Sequence, residues 1–118
     1  MATCQYKYKS NVEGILFSCD EPNVTNSKFC IFHDKNYFEG HEQEAAKRFE
    51  NKVKESINQN KPLICFGYYL PGIDFANLLE WKSFSQPVYF NEDTFSTEAN
   101  FAGATFSKGA GFRIYMYI

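Results

Sequence analysis

The order of apolar and polar residues divides the chain into three stretches, and the middle stretch has the periodicity of a helix. Apolar residues recur there at steps of three, four and four, at Ala46, Phe49, Val53 and Ile57. This spacing places side chains on one face of an α-helix. Because Pro62 cannot continue a helix and restricts the residue before it, we predict a helix over about residues 41–58.

Before the helix, two short runs of alternating or apolar residues predict a β-hairpin. Tyr6 and Tyr8 alternate with lysines, and a second apolar run covers residues 15–17. The polar segment between them contains Gly14, which is typical of a turn. We therefore expect two short antiparallel strands in this region.

After the helix, the chain carries an internal repeat of eleven residues. In units that begin at Asn77, Val88 and Ala99, the third position is Leu79, Phe90, Phe101 and, in a partial fourth unit, Phe112. The eighth position is Phe84, Phe95 and Phe106. Steps that alternate between five and six residues fit neither a helix nor a flat strand. A fixed period predicts a solenoid, with an interior stack formed by Phe90, Phe95, Phe101 and Phe106.

Residues 99–109 resemble the pentapeptide-repeat proteins, whose five-residue unit centres on Leu or Phe with Ala two places earlier. The resemblance covers about residues 77–118. It implies a short right-handed quadrilateral β-helix, and hence a mainly β fold class with one helix. We expect two domains: a zinc-binding hairpin module with the helix at residues 1–62, acting as an N-terminal cap, and the pentapeptide-repeat β-helix at residues 63–118.

The composition is that of a globular chain with an aromatic core. Of 118 residues, 44% are hydrophobic and 22% charged, and 13 Phe, 8 Tyr and 1 Trp must be buried in a small volume. The net charge of −2 argues against a general nucleic-acid binder. The longest apolar run, residues 63–70, is shorter than the roughly 18 to 20 residues of a membrane helix. The first residues lack the apolar region of a secretory signal, so we expect a cytoplasmic protein without a membrane partner.

Three cysteines and one histidine form the strongest candidate site. In a reducing compartment, cysteines are more often thiols or metal ligands than disulfides. Cys30 and His33 have C-x2-H spacing, so one turn can direct both at one ion. If the hairpin turns around residues 10–13, Cys4 lies opposite Cys19. We therefore predict a structural Zn²⁺ bound by Cys4, Cys19, Cys30 and His33.

The C-x2-H unit resembles the second half of treble-clef-like zinc fingers, whereas the C-x2-C knuckle of the first half is missing. Only zinc binding is inferred from this resemblance. The alternatives are a disulfide between Cys4 and Cys19, and Cys30 as a plain buried thiol. Cys65 lies in an apolar run and is read as a core residue, and His41 is read as a solvated residue that opens the helix.

Nothing in the sequence points to an active site, so no catalytic or cofactor-binding residues are predicted. Four protein ligands would leave zinc no position for water, and no Gly-rich phosphate loop is present. We expect a non-enzymatic interaction or structural module with a protein partner. The alternative is a regulator acting on nucleic acid or a DNA-processing enzyme, as a DNA mimic or through the zinc module. DNA mimicry needs an acidic surface, and residues 77–118 carry four acidic against three basic residues.

The last residues of the chain, 112–118, are largely apolar and carry little charge. Unprotected strand edges of this kind are normally covered, charged or paired. We expect this C-terminal end of the β-helix to pair with a second copy in a homodimer around a two-fold axis. The alternative is a local plug in which Tyr115 and Tyr117 fold back.

Overall fold

The computed structural model of the chain describes residues 2–9, 16–79, 83–84, 86–100, 105–106 and 110–116. It begins with the expected hairpin, in which β1 (Lys7–Lys9) pairs antiparallel with β2 (Leu16–Ser18). The predicted register, in which Cys4 faces Cys19 and Tyr6 would face Phe17, is wrong by two residues, because Tyr8 lies opposite Phe17.

Two helices follow the hairpin. Helix α1 (Lys35–Gly40) begins at Asp34, whose side chain accepts a hydrogen bond from the Tyr37 amide. Helix α2 (Glu42–Gln59) confirms the helix predicted over residues 41–58 and ends at Asn60, a left-handed residue with φ of 53°. Its buried face is rotated from the predicted one. Ala45, Phe49, Val53 and Ser56 are buried, whereas Ile57 is 44% exposed.

The rest of the described chain consists of short strands and one more helix. In chain order the elements are β3 (Leu63–Ile64), β4 (Tyr69–Leu70), β5 (Ile73–Asp74), α3 (Phe75–Leu78), β6 (Ser83–Phe84), β7 (Val88–Phe95), β8 (Ala99–Asn100), β9 (Thr105–Phe106) and β10 (Ala110–Met116). Strand β7 is central: β10 pairs with it in parallel on one side, and β3 and β4 pair with it in parallel on the other. Strands β5 and β8, and β6 and β9, form separate parallel pairs.

The predicted fold class is wrong. The expectation was a mainly β chain with one helix and a right-handed quadrilateral β-helix over residues 63–118. The described residues instead form a small mixed α/β structure with three helices and short sheets, and they form no solenoid. Most strands have only two residues, and α3 interrupts them, so the sheets stay separate and α2 packs across β3 and β4.

The eleven-residue repeat is nevertheless visible in the strand register. Phe84 lies beside Phe106, and Phe90 lies beside Phe112, in parallel pairs. Residues at equal places of the repeat therefore become neighbours in different short sheets. The predicted interior stack of phenylalanines extends beyond what the structure describes, because Phe101 and the Phe106 side chain lie outside the described part.

The core is aromatic, as the composition predicts, and elements from both predicted domains contribute to it. Phe90 of β7 is fully buried and packs against Phe49 of α2 and Phe75 of α3, with ring centroids 6.3 and 5.4 Å apart. The domain division at residue 62 and the homodimer through the C-terminal end stay predictions. Among the described residues, none of the helices has the length and apolar character needed to cross a membrane.

Candidate metal centre

Four side chains predicted to bind a metal converge at one buried point. The ligand atoms of Cys4, Cys19, Cys30 and His33 all lie within 4.8 Å of one another. His33 Nδ1 is 3.4 Å from the Cys4 sulfur and 3.3 Å from the Cys30 sulfur, and the Cys19 and Cys30 sulfurs are 3.8 Å apart. The four residues are between 0% and 8% exposed. This cluster could hold a metal ion.

These distances are close to the edges of a tetrahedron around zinc. With Zn–S near 2.3 Å and Zn–N near 2.0 to 2.1 Å, tetrahedral angles place two sulfurs about 3.8 Å apart and sulfur and nitrogen about 3.5 Å apart. The sulfur–sulfur distance of 3.8 Å agrees with the first value, and the two sulfur–nitrogen distances are slightly shorter than the second. Three of the six donor–donor distances are thus close to those of a tetrahedral zinc site, and all four donors are of the type that suits zinc.

The hairpin brings Cys4 and Cys19 together, although not as direct neighbours. Cys4 precedes β1, and its amide donates to the Glu21 carbonyl at 2.8 Å. Cys19 follows β2, and its amide donates to the Tyr6 carbonyl at 3.1 Å. The expected direct opposition of the two cysteines is therefore wrong. They occupy diagonal positions on the same face of the hairpin, and cross-strand diagonals are close enough for long or polarisable side chains to meet.

A single turn delivers the other two ligands. The amides of His33 and Asp34 both donate to the Cys30 carbonyl, at 3.0 and 2.9 Å. The turn ends at Asp34, which begins helix α1. The C-x2-H spacing thus closes into the one-turn arrangement inferred from the sequence, with both ligands directed at the same point.

The ring of His33 is held in one orientation by its surroundings. Its Nε2 lies 2.8 Å from the carbonyl oxygen of Phe66, which can only accept a hydrogen bond. In the neutral imidazole this contact places the proton on Nε2, so the lone pair that a metal requires is on Nδ1, which faces the sulfurs. The Tyr6 ring stacks on the imidazole at 3.9 Å, and the Tyr68 ring meets it edge-on at 5.1 Å.

The three thiols differ in how readily they lose a proton. A hydrogen bond from the Cys30 thiol lowers the pKa of Cys19 to about 5. The same bond, together with burial, raises the pKa of Cys30. Burial raises the pKa of Cys4. The contact between Cys19 and Cys30 thus favours the thiolate of Cys19, and burial opposes ionisation of Cys4 and Cys30, which a bound cation would favour.

Two residues set aside at the sequence level stay outside the cluster. Cys65 is fully buried in the apolar core, which confirms its assignment as a core residue. His41 is exposed at the start of α2 and stacks on the Tyr37 ring at 3.8 Å. All four cysteines are free, so the alternative disulfide between Cys4 and Cys19 is not formed.

Sequence reasoning missed the contribution of the segment after α2. We call Phe66, Gly67 and Tyr68 the aromatic loop. It supplies the carbonyl that orients His33, and Gly67 adopts a φ of +67°. A side chain on Gly67 would overlap the Tyr6 hydroxyl. The glycine between two aromatic residues was the available signal, because it marks a turn with close approach of another group.

The chain matches no protein-family model, no curated protein and no solved structure. The assignment of the site therefore rests on its geometry and donor chemistry.

Proposed function

We propose that the chain is a non-enzymatic, zinc-stabilised structural module that offers a protein partner a rigid surface. The proposal rests on the convergence of the ligand atoms of Cys4, Cys19, Cys30 and His33, which all lie within 4.8 Å of one another at a buried point. Three thiolates and one imidazole complete the coordination of zinc. A metal bound in this way has no position for a substrate or an activated water, which is the property of structural zinc sites.

The position of the cluster supports a structural role. Cys4 and Cys19 come from the hairpin, the other two ligands from the turn before α1, and the aromatic loop leads into the sheet. Zinc would therefore connect the hairpin directly to the turn before α1, and His33 would connect the ion to the aromatic loop. The free energy of zinc binding, roughly 10 to 16 kcal/mol in zinc-finger peptides, acts as folding free energy at such sites.

Cobalt substitution tests whether the centre is closed. Co²⁺ replaces Zn²⁺ at tetrahedral sites and shows intense visible absorption only when four-coordinate. We expect one equivalent of Co²⁺ to give an intense tetrahedral spectrum with thiolate charge-transfer bands, unchanged by added azide. Weak octahedral absorption, or a spectrum that azide alters, would show an open coordination position and contradict the structural role.

A matched pair of variants identifies the ligands in the same experiment. Cys19→Ser removes a proposed ligand, so the thiolate bands should weaken and the tetrahedral spectrum should change. Cys65→Ala removes a buried thiol outside the cluster, and its spectrum should equal that of the wild type. Identical spectra for Cys19→Ser and the wild type would reject the proposed ligand set.

A further inference from the structure

Asp93 is a fully buried acidic residue that binds the backbone of the aromatic loop. Its Oδ1 accepts a hydrogen bond from the Tyr68 amide at 2.8 Å, and the backbone of Gly67 also bonds to this carboxyl. Asp93 belongs to β7, far along the chain from the metal ligands. The contact therefore connects the central strand of the sheet to the loop that faces His33.

An irregularity in β7 turns Asp93 towards the interior. Phe90 and Phe95 are both buried although five residues apart, which a regular alternation of sides does not allow. The register against β10 shifts in this region, and Glu92 has a left-handed φ of 61°. Such a bulge places one extra residue in the strand and redirects a side chain. Here the redirected side chain is that of Asp93.

The loop that Asp93 holds also holds the imidazole. The Phe66 carbonyl, two residues before Tyr68, accepts the proton of His33 Nε2. The same loop has a second contact with β7, because the Thr94 amide donates a hydrogen bond to the Tyr68 carbonyl at 2.8 Å. The Phe66 carbonyl thus directly precedes a short backbone segment that is held at Gly67 and Tyr68.

Asp93 lowers the stability of the fold, so stability alone does not explain an acidic residue at this position. Its second carboxylate oxygen, Oδ2, is buried and has no hydrogen-bond partner among the described residues. A buried polar atom without a partner destabilises the folded state, and an apolar side chain would avoid this. Residues that destabilise the fold in this way are expected mainly at functional sites.

We propose that Asp93 is a positioning residue of the metal centre. It fixes the aromatic loop so that the Phe66 carbonyl holds His33 with Nδ1 directed at the metal. This inference rests on the proposed function, in which the cluster of Cys4, Cys19, Cys30 and His33 binds zinc. Groups that hold a metal ligand in its orientation without binding the metal typically change metal affinity 10-fold to 100-fold when they are replaced.

The test is the zinc affinity of three full-length variants, measured by competition with a chromophoric chelator at low temperature. Asp93→Ala removes the acceptor, and we expect about 10-fold to 100-fold weaker zinc binding. Asp93→Asn keeps an oxygen at the same place, so its affinity should stay within about 3-fold of the wild type. Val88→Ala is the control, because Val88 is a fully buried residue of the same strand outside the aromatic loop.

A purely structural role for Asp93 predicts a different pattern. In that case, Asp93→Ala and Val88→Ala would lower the melting temperature without changing zinc affinity, or would lower affinity equally. Either result overturns the proposal. A wild-type protein that binds no zinc overturns the proposed function as well, so the two failures are distinguishable.

A second measurement covers the case in which Asp93→Ala does not fold. In zinc-loaded wild type and Asp93→Asn, the Tyr68 amide and the His33 ring Nε2–H should both exchange slowly with solvent in NMR spectra. Fast exchange of either proton in the wild type would show that the connection from Asp93 to His33 is not formed, and would overturn the proposal.

Discussion

The Nε2 atom of His33 lies 2.8 Å from the carbonyl oxygen of Phe66, so a candidate metal ligand is oriented by a loop from the second half of the chain. This one bond selects the tautomer of the imidazole and leaves Nδ1 facing the cysteine sulfurs. The candidate metal centre is therefore a property of the whole folded chain, since the C-x2-H turn alone does not fix the ring.

Removing one ligand should cost much more stability than removing a cysteine from the core. We expect Cys30→Ser to lose zinc and to lower the free energy of unfolding by about 3 kcal/mol or more, because metal binding contributes directly to folding. Cys65→Ala should keep its zinc and lose only about 1 kcal/mol through the missing sulfur. Urea denaturation in the presence of zinc measures both values. Equal losses in the two variants would show that the ion does not stabilise the fold.

Alanine should lower the stability of the fold at Gly67, which follows α2, but not at Gly40, which precedes it. Gly67→Ala places a methyl group on the Tyr6 hydroxyl at a residue with φ of +67°, and should cost about 2 kcal/mol or more. Gly40 ends α1 and has open space around its Cα, so Gly40→Ala should be neutral or slightly stabilising. Thermal unfolding of both variants checks this. A neutral Gly67→Ala would contradict the close approach of Tyr6 to the loop.

Asp93 should make stability fall as the pH rises. Burial raises the pKa of Asp93 well above the ordinary value of 3.8 in the folded chain. A raised folded pKa means that the folded state retains the proton longer, so this contribution is complete below pH 3.8 and is lost as the pH rises to the folded pKa. Within that window the slope is about 1.4 kcal/mol per pH unit.

Asp93→Asn has no proton to lose, so its stability relative to the wild type should increase with pH above about 4. Urea denaturation of both proteins at several pH values, with the same zinc concentration, gives this difference and cancels the pH dependence of metal binding. A difference that is constant with pH would contradict the buried state of the carboxyl.

The ion pair between Glu21 and Arg48 should matter more than the exposed pairs of α2. Glu21 is buried, and Arg48 bonds to both of its carboxylate oxygens at 2.8 and 2.9 Å. Arg48→Ala leaves a buried carboxylate with Lys52 as its remaining partner, and should cost about 1 to 3 kcal/mol. Lys54→Ala breaks the exposed pair with Glu50, and should cost at most about 0.5 kcal/mol. A chemical denaturation series that ranks the two variants the other way would reject this assignment.

The candidate ligand set could be predicted from the sequence, because the spacing of its residues is typical of a metal site. Cys30 and His33 are close enough in sequence to share one turn, and alternation around Tyr6 and Tyr8 indicated the hairpin that brings in the other two ligands. The exact register was not accessible, because a shift of two residues keeps the same side chains on the same face. Cys4 consequently lies opposite Glu21, which in turn binds Arg48 of α2.

The fold of the second half of the chain could not be predicted from the sequence. Residues at equal places of the repeat, such as Phe84 and Phe106, do pair, but a period does not determine strand length, and the solenoid predicted from the repeat is wrong. Helix α2 packs against β3 and β4, and α3 lies between β5 and β6 along the chain. The strands around these helices form short, separate sheets. The roles of Phe66 and Asp93 were also hidden, because backbone carbonyls and bulges have no distinct sequence pattern, whereas Gly67 between two aromatic residues marked the turn.

We expect each chain to bind one zinc ion through Cys4, Cys19, Cys30 and His33. Native mass spectrometry of protein purified without chelator tests it most directly, because it reports the metal content of each intact chain. The wild type and Cys65→Ala should each carry one zinc per chain, and Cys30→Ser should carry none. A wild-type mass equal to the metal-free chain, or one lacking the two hydrogens lost in a disulfide, would contradict it.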